Sequence, residues 1–404
     1  MSRPASTAEA PTNPYGRQAK TGAARRTTQR RSVKRGRPEL YTAYEQDTRL
    51  FNTPGKRAGV WALTILALLA PFVFRDNILL ILATACVASI GAIGLNLVTG
   101  YAGQVSLGHA FFLGIGAFTA AVLSGDPAGR TVGLGMQMIV WLPAAGLAAA
   151  AAGLLVAPLA ARLRGLYLAI VTLGLVFLGE HIFREMQFIT GGVGVGRPGP
   201  VPDVFGFRFD QAGEVLGFML TRNQKIYYLM FALFVLMAVL GRNVARSAIG
   251  RAFSAVRDRD IAAEVIGVSL TKYKALAFTV SSFYAGIAGA LLYTIIGFIE
   301  PGAFNLLLSV QYIAMVLIGG VATISGSIMG AVFITLLPRI TREIPKFLPF
   351  ISAQAAGGGV LNVFQLEAIL YGLLIIGFLI FEPRGLFGIW IRARNYWKGW
   401  PFSY

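Results

Sequence analysis

The chain has 404 residues, of which 55% are hydrophobic and only 13% carry a charged side chain. Soluble domains carry about 25% charged residues, so this composition excludes an ordinary soluble enzyme or binding module. Membrane β-strands would show an alternation of apolar and polar residues over about ten positions, and the sequence has no such sustained pattern. We therefore predict an all-α polytopic integral membrane protein, whose helices satisfy their own backbone hydrogen bonds in lipid.

The N-terminal 57 residues are the most basic part of the chain. They contain 13 Lys or Arg and four acidic residues, an excess that supplies half of the formal net charge of +18. Such a cluster can bind nucleic acid, but ahead of a membrane domain it is typical of an arm held near anionic lipid. We predict a disordered cytoplasmic arm over 1–57, with membrane lipid and not nucleic acid as its partner.

Apolar runs of about 20 residues, the length that crosses a bilayer, follow this arm. We predict about 8–10 membrane segments, including interrupted or re-entrant helices, in one domain over 58–391 with a short cytoplasmic tail at 392–404. The predicted segments are 58–74, 77–99, 105–124, 136–161, 165–188, 226–241, 273–299, 308–337 and 363–381.

The basic residues between these segments predict their orientation, because Lys and Arg accumulate in cytoplasmic loops. The Arg162–Arg164 turn, the connection 242–274 and both termini are basic and are placed in the cytoplasm. The number of crossings places all of these segments on one side if 308–337 crosses the membrane as two short halves. A re-entrant hairpin is the alternative. The connections predicted to lie outside are 125–135, 189–225 and 339–362.

Two stretches interrupt the apolar pattern with glycine and polar residues, at 99–109 and 319–326. Freed backbone groups at membrane depth are tolerated where they pack against protein or line a cavity, so we predict that both stretches belong to a pathway or an interrupted helix. For the histidine in the first stretch, packing or a hydrogen bond is the alternative to a pathway role. The candidate residues are Asn96, Gly100, Gln104, Ser106, His109, Gly319, Gly320 and Ser325.

The polar segment 250–274 separates two apolar spans and carries an amphipathic pattern. A short amphipathic helix in the cytoplasm can lay its apolar stripe into a partner's groove and use its charges to fix the register. An ordinary solvated loop helix fits the pattern equally well. The predicted apolar face consists of Phe253, Val256, Ile261, Val265 and Val268.

A charged patch lies near the outer end of the fifth predicted segment. Glu180 and Arg184 are four residues apart and share one helix face. Because unpaired charges are costly in the membrane, we predict an intramembrane ion pair directed into the protein interior. Its role is either to brace the span or to meet an entering substrate.

The chain offers little to a catalytic or metal site. It has two histidines, His109 and His181, and no cysteine near either, so we predict no metal site and no catalytic residue. The segment 194–199 fits G-x-G-x-x-G, but no βαβ unit surrounds it. A phosphate loop of the form G-x-x-x-x-G-K-[ST] is absent from the sequence, and we expect no cofactor on this chain.

Several stretches resemble one transporter family. Ala262, Ala263 and Gly267 match the Ala-Ala-x-x-x-Gly motif of the coupling helix of ABC permeases, although Ile261 replaces the usual leading Glu. The wider stretches 94–110, 250–291 and 382–388 resemble permeases of branched-chain amino acid transporters, especially LivM-like subunits. The resemblance covers roughly residues 60–390.

This resemblance implies a permease subunit of a binding-protein-dependent ABC importer in the bacterial plasma membrane, which transports aliphatic amino acids. The implied partners are a LivH-like permease, ATPase subunits that hold ATP and Mg²⁺, and an extracytoplasmic binding protein. Urea, amides or another small organic solute are alternative substrates, and an ion-coupled secondary transporter or an intramembrane enzyme is the alternative of another class. The implied ATPase-coupling residues are Asp258, Asp260, Ala262, Ala263, Glu264 and Gly267.

The predicted orientation is testable by labelling. In a Cys86→Ser background, single cysteines at Ser254 and Asp203 should react with an impermeant maleimide from opposite sides of the membrane. Labelling of both positions from the outside would contradict the orientation.

Overall fold

A computed structural model describes residues 54–126, 131–163, 165–215, 218–341, 343, 351–352 and 361–399. Fourteen α-helices lie in this part of the chain. They are α1 Pro54–Val73, α2 Asp76–Asn96, α3 His109–Ser124, α4 Met138–Arg162, α5 Leu166–Glu185, α6 Gln187–Thr190, α7 Arg222–Arg246, α8 Ala248–Asp258, α9 Asp260–Val265, α10 Leu270–Ile296, α11 Leu306–Gly319, α12 Ile324–Thr341, α13 Val363–Phe381 and α14 Gly385–Gly399.

The helices confirm the predicted all-α polytopic membrane fold. Within the described residues, seven helices are long and apolar enough to cross a bilayer, and the bent pair α13–α14 makes an eighth. Two shorter apolar helices, Ala58–Val73 and His109–Ser124, accompany them. The number of segments therefore matches the predicted range.

Several boundaries differ from those that the sequence predicts. Helix α1 begins at Pro54, four residues inside the predicted arm, and residues 1–53 lie outside the described residues. Helix α3 begins at His109 and not at 105, because the polar stretch before it is not helical. Helix α14 continues across the predicted boundary between 391 and 392, and residues 400–404 lie outside the description.

The predicted segment 308–337 forms two helices, α11 and α12, that pack against each other. Gly319 lies against Gly326, and Gly330 lies against both Gly319 and the carbonyl of Met315, so the two helices run antiparallel. Helix α12 has 18 residues, about 27 Å at 1.5 Å per residue, close to the ~30 Å of the hydrocarbon core. These dimensions favour two crossings over a shallow re-entrant loop.

Helix α10 is the centre of the helix bundle and packs against α2, α3 and α4. Small residues let these backbones approach closely. This is expected in a membrane, because helix association in lipid is driven by close packing and not by the hydrophobic effect. Gly289 lies against the carbonyl of Leu113, and Gly116 lies against the backbone of Gly286. The core of the bundle therefore depends on close backbone contact along α10.

The strands are short and lie mainly between α6 and α7. They are β1 Arg197–Pro198, β2 Asp203–Val204, β3 Phe207–Arg208, β4 Gly213–Val215, β5 Phe218–Leu220, β6 Phe298–Ile299, β7 Ile351–Ser352 and β8 Leu361–Asn362. The pairs β1–β6, β2–β3 and β4–β5 are antiparallel, and β7–β8 is parallel.

Arg197 holds the connection after α6 against α3. Its buried guanidinium donates to the carbonyls of Ala121 at 2.6 Å, Ile189 at 2.5 Å and Val132 at 3.1 Å. Burial lowers the pKa of this guanidinium from its usual value. Arginine side chains are effectively always protonated in proteins, so the group carries a positive charge. A single cation thus neutralises three carbonyl dipoles from three separate segments.

The close packing of α10 gives a stability prediction. A Cβ on Gly286 would lie 2.6 Å from the carbonyl oxygen and the Cβ of two residues of α4, Ala145 and Ala149. Gly286→Ala should therefore lower the thermal stability of the purified protein, by about 1–3 kcal/mol for an overpacked core. Gly174→Ala is the matched control, since a Cβ there meets no atom within 4 Å, and it should be neutral or stabilising. Equal behaviour of the two variants in a thermal-shift assay would contradict this packing.

Candidate functional site

Asn96, at the end of α2, forms hydrogen bonds with residues within and just after the second interruption. Its buried amide nitrogen donates to the carbonyl of Thr323 at 3.0 Å and to the hydroxyl of Ser327 at 2.6 Å. Its amide oxygen accepts from the backbone N–H of Ala322 at 2.9 Å. We call Asn96, Ala322, Thr323 and Ser327 the Asn96 joint. It brings the two interrupted stretches into direct contact.

The backbone on both sides of the joint departs from regular helix. Helix α2 continues into a π-helical turn, Leu97–Tyr101, a deviation that is frequent at functional sites. A Cβ on Gly100 would lie 2.5 Å from the backbone nitrogen of Ala322, so glycine permits this contact. Ala322 has φ +58°, in the left-handed region that residues other than glycine seldom adopt. The hydrogen bond from its N–H to Asn96 stabilises this conformation.

The first interruption also contacts the polar segment between α7 and α10. The guanidinium of Arg257 donates to the carbonyl of Gly100 at 2.9 Å and to the carboxylate of Asp258 at 2.8 Å. Gly103 lies against the side chain of Arg257 and has φ +69°. Arg257 therefore links the π-helical turn directly to the predicted coupling segment.

The predicted single apolar face of that segment is wrong, because the segment forms two helices. The chain turns between α8 and α9 at Arg259, with φ −153° and ψ 89°. Phe253 and Val256 are buried against the bundle, whereas Ile261 and Val265 are 72% and 83% exposed. Periodicity identified apolar positions but not the break that directs them to different sides.

Helix α9 is short and anchored at one residue. Ala263 is buried, while Asp258, Ala262, Glu264 and Gly267 are exposed and Asp260 is half-buried. The helix ends at Gly267, whose φ of +89° is typical of a glycine C-cap. The N–H of Val268 donates to the carbonyl of Ala263 at 2.9 Å, which closes this end.

The remaining candidates of the first interruption are buried. Among the described residues, both side-chain amide atoms of Gln104 lack a hydrogen-bond partner, and so does Nε2 of His109. The His109 ring lies 4.9 Å from that of Tyr312. Ser106 accepts a hydrogen bond from Gly108 at 3.4 Å. The sequence predicted these positions but not their different environments.

Two residues that sequence reasoning missed satisfy the backbone between the π-helical turn and α3. The hydroxyl of Thr172 accepts from the N–H of Leu107 at 2.9 Å, and the hydroxyl of Ser309 accepts from the N–H of Ala110 at 3.0 Å. Both lie within apolar helices, and their only signal in the sequence is a polar side chain at membrane depth.

In the second interruption, the predicted residues divide between packing and exposure. Gly319 lies at the crossing of α11 and α12. Gly320 lies against the connection between α13 and α14, where a Cβ on this glycine would be 2.9 Å from the carbonyl oxygen of Arg384. Ser325 is exposed, and the buried hydroxyl that reaches Asn96 is that of Ser327, two residues further on. Sequence reasoning missed Ser327 because it does not reveal the helix phase, and the pathway role of Ser325 stays a prediction.

The side chains of Glu180 and Arg184 contact each other on α5. The side chain of Arg184 is 48% exposed and that of Glu180 is 20% exposed. The pair therefore does not point into the interior of this chain, contrary to the prediction. Its two members lie on one helix, which allows it to form at the surface. Among the described residues, no group of three His, Cys, Asp or Glu side chains is arranged to hold a metal ion.

The Asn96 joint gives the second structural prediction. Asn96→Leu removes one donor group and one acceptor, and leaves the Ala322 N–H unsatisfied at a cost of about 1–3 kcal/mol. The variant should therefore lose thermal stability, whereas Asn395→Leu, at an exposed position of α14, should not. Retention of wild-type stability in Asn96→Leu, measured by thermal shift, would show that the joint is dispensable.

Comparison with known proteins identifies the family. Residues 77–381 match the family described as "Branched-chain amino acid transport system / permease component". The chain is 30% identical over 347 residues to the high-affinity branched-chain amino acid transport system permease protein LivM of Salmonella typhimurium, covering 83% of this chain and 76% of that protein.

Two further relatives are also permease proteins by name. The LivM protein of Escherichia coli is 31% identical over 337 residues, with 80% of this chain and 73% of that protein covered. The autoinducer 2 import system permease protein LsrC of Klebsiella pneumoniae is 33% identical over 103 residues, with 24% and 30% covered. No solved structure matches. The chain belongs to the family of branched-chain amino acid transport system permeases.

Proposed function

We propose that this chain is the membrane-spanning permease subunit of a binding-protein-dependent ABC importer that brings branched-chain amino acids into a bacterial cell. Membership of the permease family and the similarity to two LivM proteins support this function. They also favour it over a secondary transporter, an intramembrane enzyme, or a permease for urea or amides. The chain lies in the plasma membrane, with both termini in the cytoplasm.

The exposure of α9 is the observation that carries the coupling part of the proposal. Ile261 and Val265 on α9, and Ile266 just after it, are 72%, 83% and 76% exposed in a segment too polar to lie in lipid. Large apolar side chains in such a position provide anchors for a groove on a partner, and Asp260 and Glu264 beside them can fix the register. The partner is a cytoplasmic ATPase subunit, which holds the ATP and Mg²⁺.

The other partners follow from the same assignment. A second, LivH-like permease completes the translocation pathway, and an extracytoplasmic binding protein delivers the amino acid to the side opposite α9. The exposed apolar surface of α1, which includes Trp61, Leu63 and Leu66, is available to lipid or to that second permease. The Asn96 joint and Arg257 transmit motion of α9 to the interrupted helices.

Transport by the assembled complex tests the substrate. Proteoliposomes that contain this chain, its LivH-like partner, the ATPases and ATP should accumulate radiolabelled leucine only when the binding protein is outside. Excess unlabelled isoleucine or valine should suppress uptake, and excess urea should not. Suppression by urea, or accumulation without ATP, would contradict the proposal.

Gly267 provides a test of the coupling helix. Its φ of +89° is strained for a β-branched residue, but a Cβ there meets no atom within 4 Å. Gly267→Val should therefore alter the end of α9 without a clash, and should abolish ATP-driven uptake while the ATPase activity becomes independent of the binding protein. Gly267→Asn should retain uptake, because Asn tolerates this conformation.

Gly297→Val is the matched control for strain. Gly297 has φ +81°, a Cβ there also meets no atom within 4 Å, and it ends α10 far along the chain from α9. This variant should keep ATPase activity dependent on the binding protein. Equal uncoupling by Val at both positions would mean that backbone strain, and not the coupling helix, causes the defect.

A further inference from the structure

Helix α14 begins where a membrane span ends. The preceding helix, α13, has 19 residues, about 28 Å at 1.5 Å per residue, and therefore nearly crosses the ~30 Å hydrocarbon core by itself. The chain breaks after Phe381, and α14 leaves at a bend of 43°. Basic residues are costly in the hydrocarbon core, so Arg392 and Arg394 within α14 place this helix at the membrane surface.

One face of α14 is apolar and exposed. Its large side chains lie at positions i, i+1, i+7 and i+8, with an alanine at i+4, and at 100° per residue they cover an arc of about 120°. The opposite side of the helix packs against α11 and α12, so the apolar face points away from the bundle. The large side chains are Ile389, Trp390, Tyr396 and Trp397, which are 45%, 57%, 63% and 78% exposed, and the exposed alanine is Ala393.

The charges of α14 are all of one sign. Residues 385–404 contain Arg392, Arg394 and Lys398 and no acidic residue, whereas α9 carries acidic residues beside its apolar side chains. Basic residues complement the negative surface of the cytoplasmic leaflet, and Trp and Tyr favour the level of the lipid headgroups. An apolar face with aromatic residues, bordered by Lys and Arg, is typical of a helix that lies in the membrane interface.

The start of α14 is fixed to the second interruption. Gly385 has φ +64°, and a Cβ on it would lie 2.5 Å from the carbonyl oxygen of Ile318 and 2.8 Å from the backbone nitrogen of Gly320. The guanidinium of Arg392 donates to both carboxylate oxygens of Glu382, at 2.9 and 2.7 Å, which braces α14 against the end of α13. The direction of α14 and the backbone of the second interruption are therefore linked.

We propose that α14 lies in the cytoplasmic surface of the membrane, with its Trp and Tyr side chains at the acyl-chain boundary and its basic residues on the headgroups of anionic lipids. The inference goes beyond the proposed function and rests on it for the cytoplasmic side of the C-terminus. Lipid holds α14, and α14 holds the bend that packs against Gly320. Anionic lipid is therefore a partner on which the rate of transport depends.

The depth of a spin label in the assembled transporter tests this contact. In a Cys86→Ser background, labels are attached at Ala393→Cys, on the apolar face, and at Asn395→Cys, an exposed position on the other side of α14. The complex is placed in nanodiscs of phosphatidylcholine with or without phosphatidylglycerol, and its accessibility to oxygen and to a water-soluble nickel chelate is measured. With phosphatidylglycerol, the label at 393 should be reached by oxygen and shielded from nickel, and the label at 395 should show the reverse. Without phosphatidylglycerol, the label at 393 should become accessible to nickel.

A pair of charge variants tests the basic residues. Each basic residue favours attachment to an anionic surface about fivefold, so Arg394→Gln with Lys398→Gln should weaken attachment of α14 about twentyfold. In proteoliposomes with phosphatidylglycerol, this variant should take up leucine as slowly as the wild type does in phosphatidylcholine alone. Arg25→Gln with Arg26→Gln is the matched control, because it removes the same charge from the N-terminal arm, and it should keep both the label depth and the uptake of the wild type.

The outcomes separate this inference from the proposed function. A label at 393 that enters lipid only with phosphatidylglycerol, and leaves it in Arg394→Gln/Lys398→Gln, supports the lipid contact. A label at 393 that nickel reaches in both membranes overturns the contact, as does shielding from both reagents that requires the ATPase subunits, since a protein would then cover the face. Wild-type uptake by the charge variant overturns the dependence of transport on this contact. Failure of the wild-type complex to take up leucine overturns the proposed function, whereas the label depth still decides the lipid contact.

Discussion

The side-chain amide of Asn96 is the interaction on which the interrupted helices depend. Two apolar spans break at membrane depth, where water is not available to satisfy the freed backbone groups. One buried amide bonds the N–H of Ala322, the carbonyl of Thr323 and the hydroxyl of Ser327. Each such bond contributes a net ~0.5–1.5 kcal/mol, and an unsatisfied buried group costs more. The left-handed backbone at Ala322 and the π-helical turn after Asn96 are therefore stabilised together, or lost together.

One residue connects the helices α8 and α9 to the π-helical turn that follows Asn96. Arg257, at the end of α8, donates to the carbonyl of Gly100 inside the π-helical turn. Helix α8 is anchored by Phe253 and Val256, whereas α9 presents its apolar residues outward. In the proposed importer, a push on α9 by a docked ATPase subunit is transmitted through Arg257 to the carbonyl of Gly100, and through Asn96 to the second interruption. We propose this series of contacts as the mechanical route of coupling.

Hydrophobic length placed the spans well, because the cost of polar groups in lipid leaves few alternatives for where a helix lies. Periodicity was less successful in the coupling segment. It grouped Val256 with Ile261, although a turn at Arg259 buries the first and exposes the second. Composition near a break does not reveal helix phase, so the sequence did not indicate Ser327, whose hydroxyl accepts from Asn96. The cost of unpaired charges in the membrane correctly predicted contact between Glu180 and Arg184, but it also predicted an inward direction, whereas the side chain of Arg184 is 48% exposed. These errors arise from tertiary contacts and partner surfaces, which a single chain's pattern does not encode.

Distances between spin labels in the assembled transporter test the mechanical route most directly. In a Cys86→Ser background, labels at Glu264 and Ser325, both exposed, report the separation of α9 from the second interruption. A label pair at Glu264 and the exposed Val193 reports motion relative to the opposite side. If the route is correct, addition of ATP changes the Glu264–Val193 distance and leaves the Glu264–Ser325 distance unchanged, because the two elements move together. A Glu264–Ser325 distance that changes as much as the reference pair would contradict it.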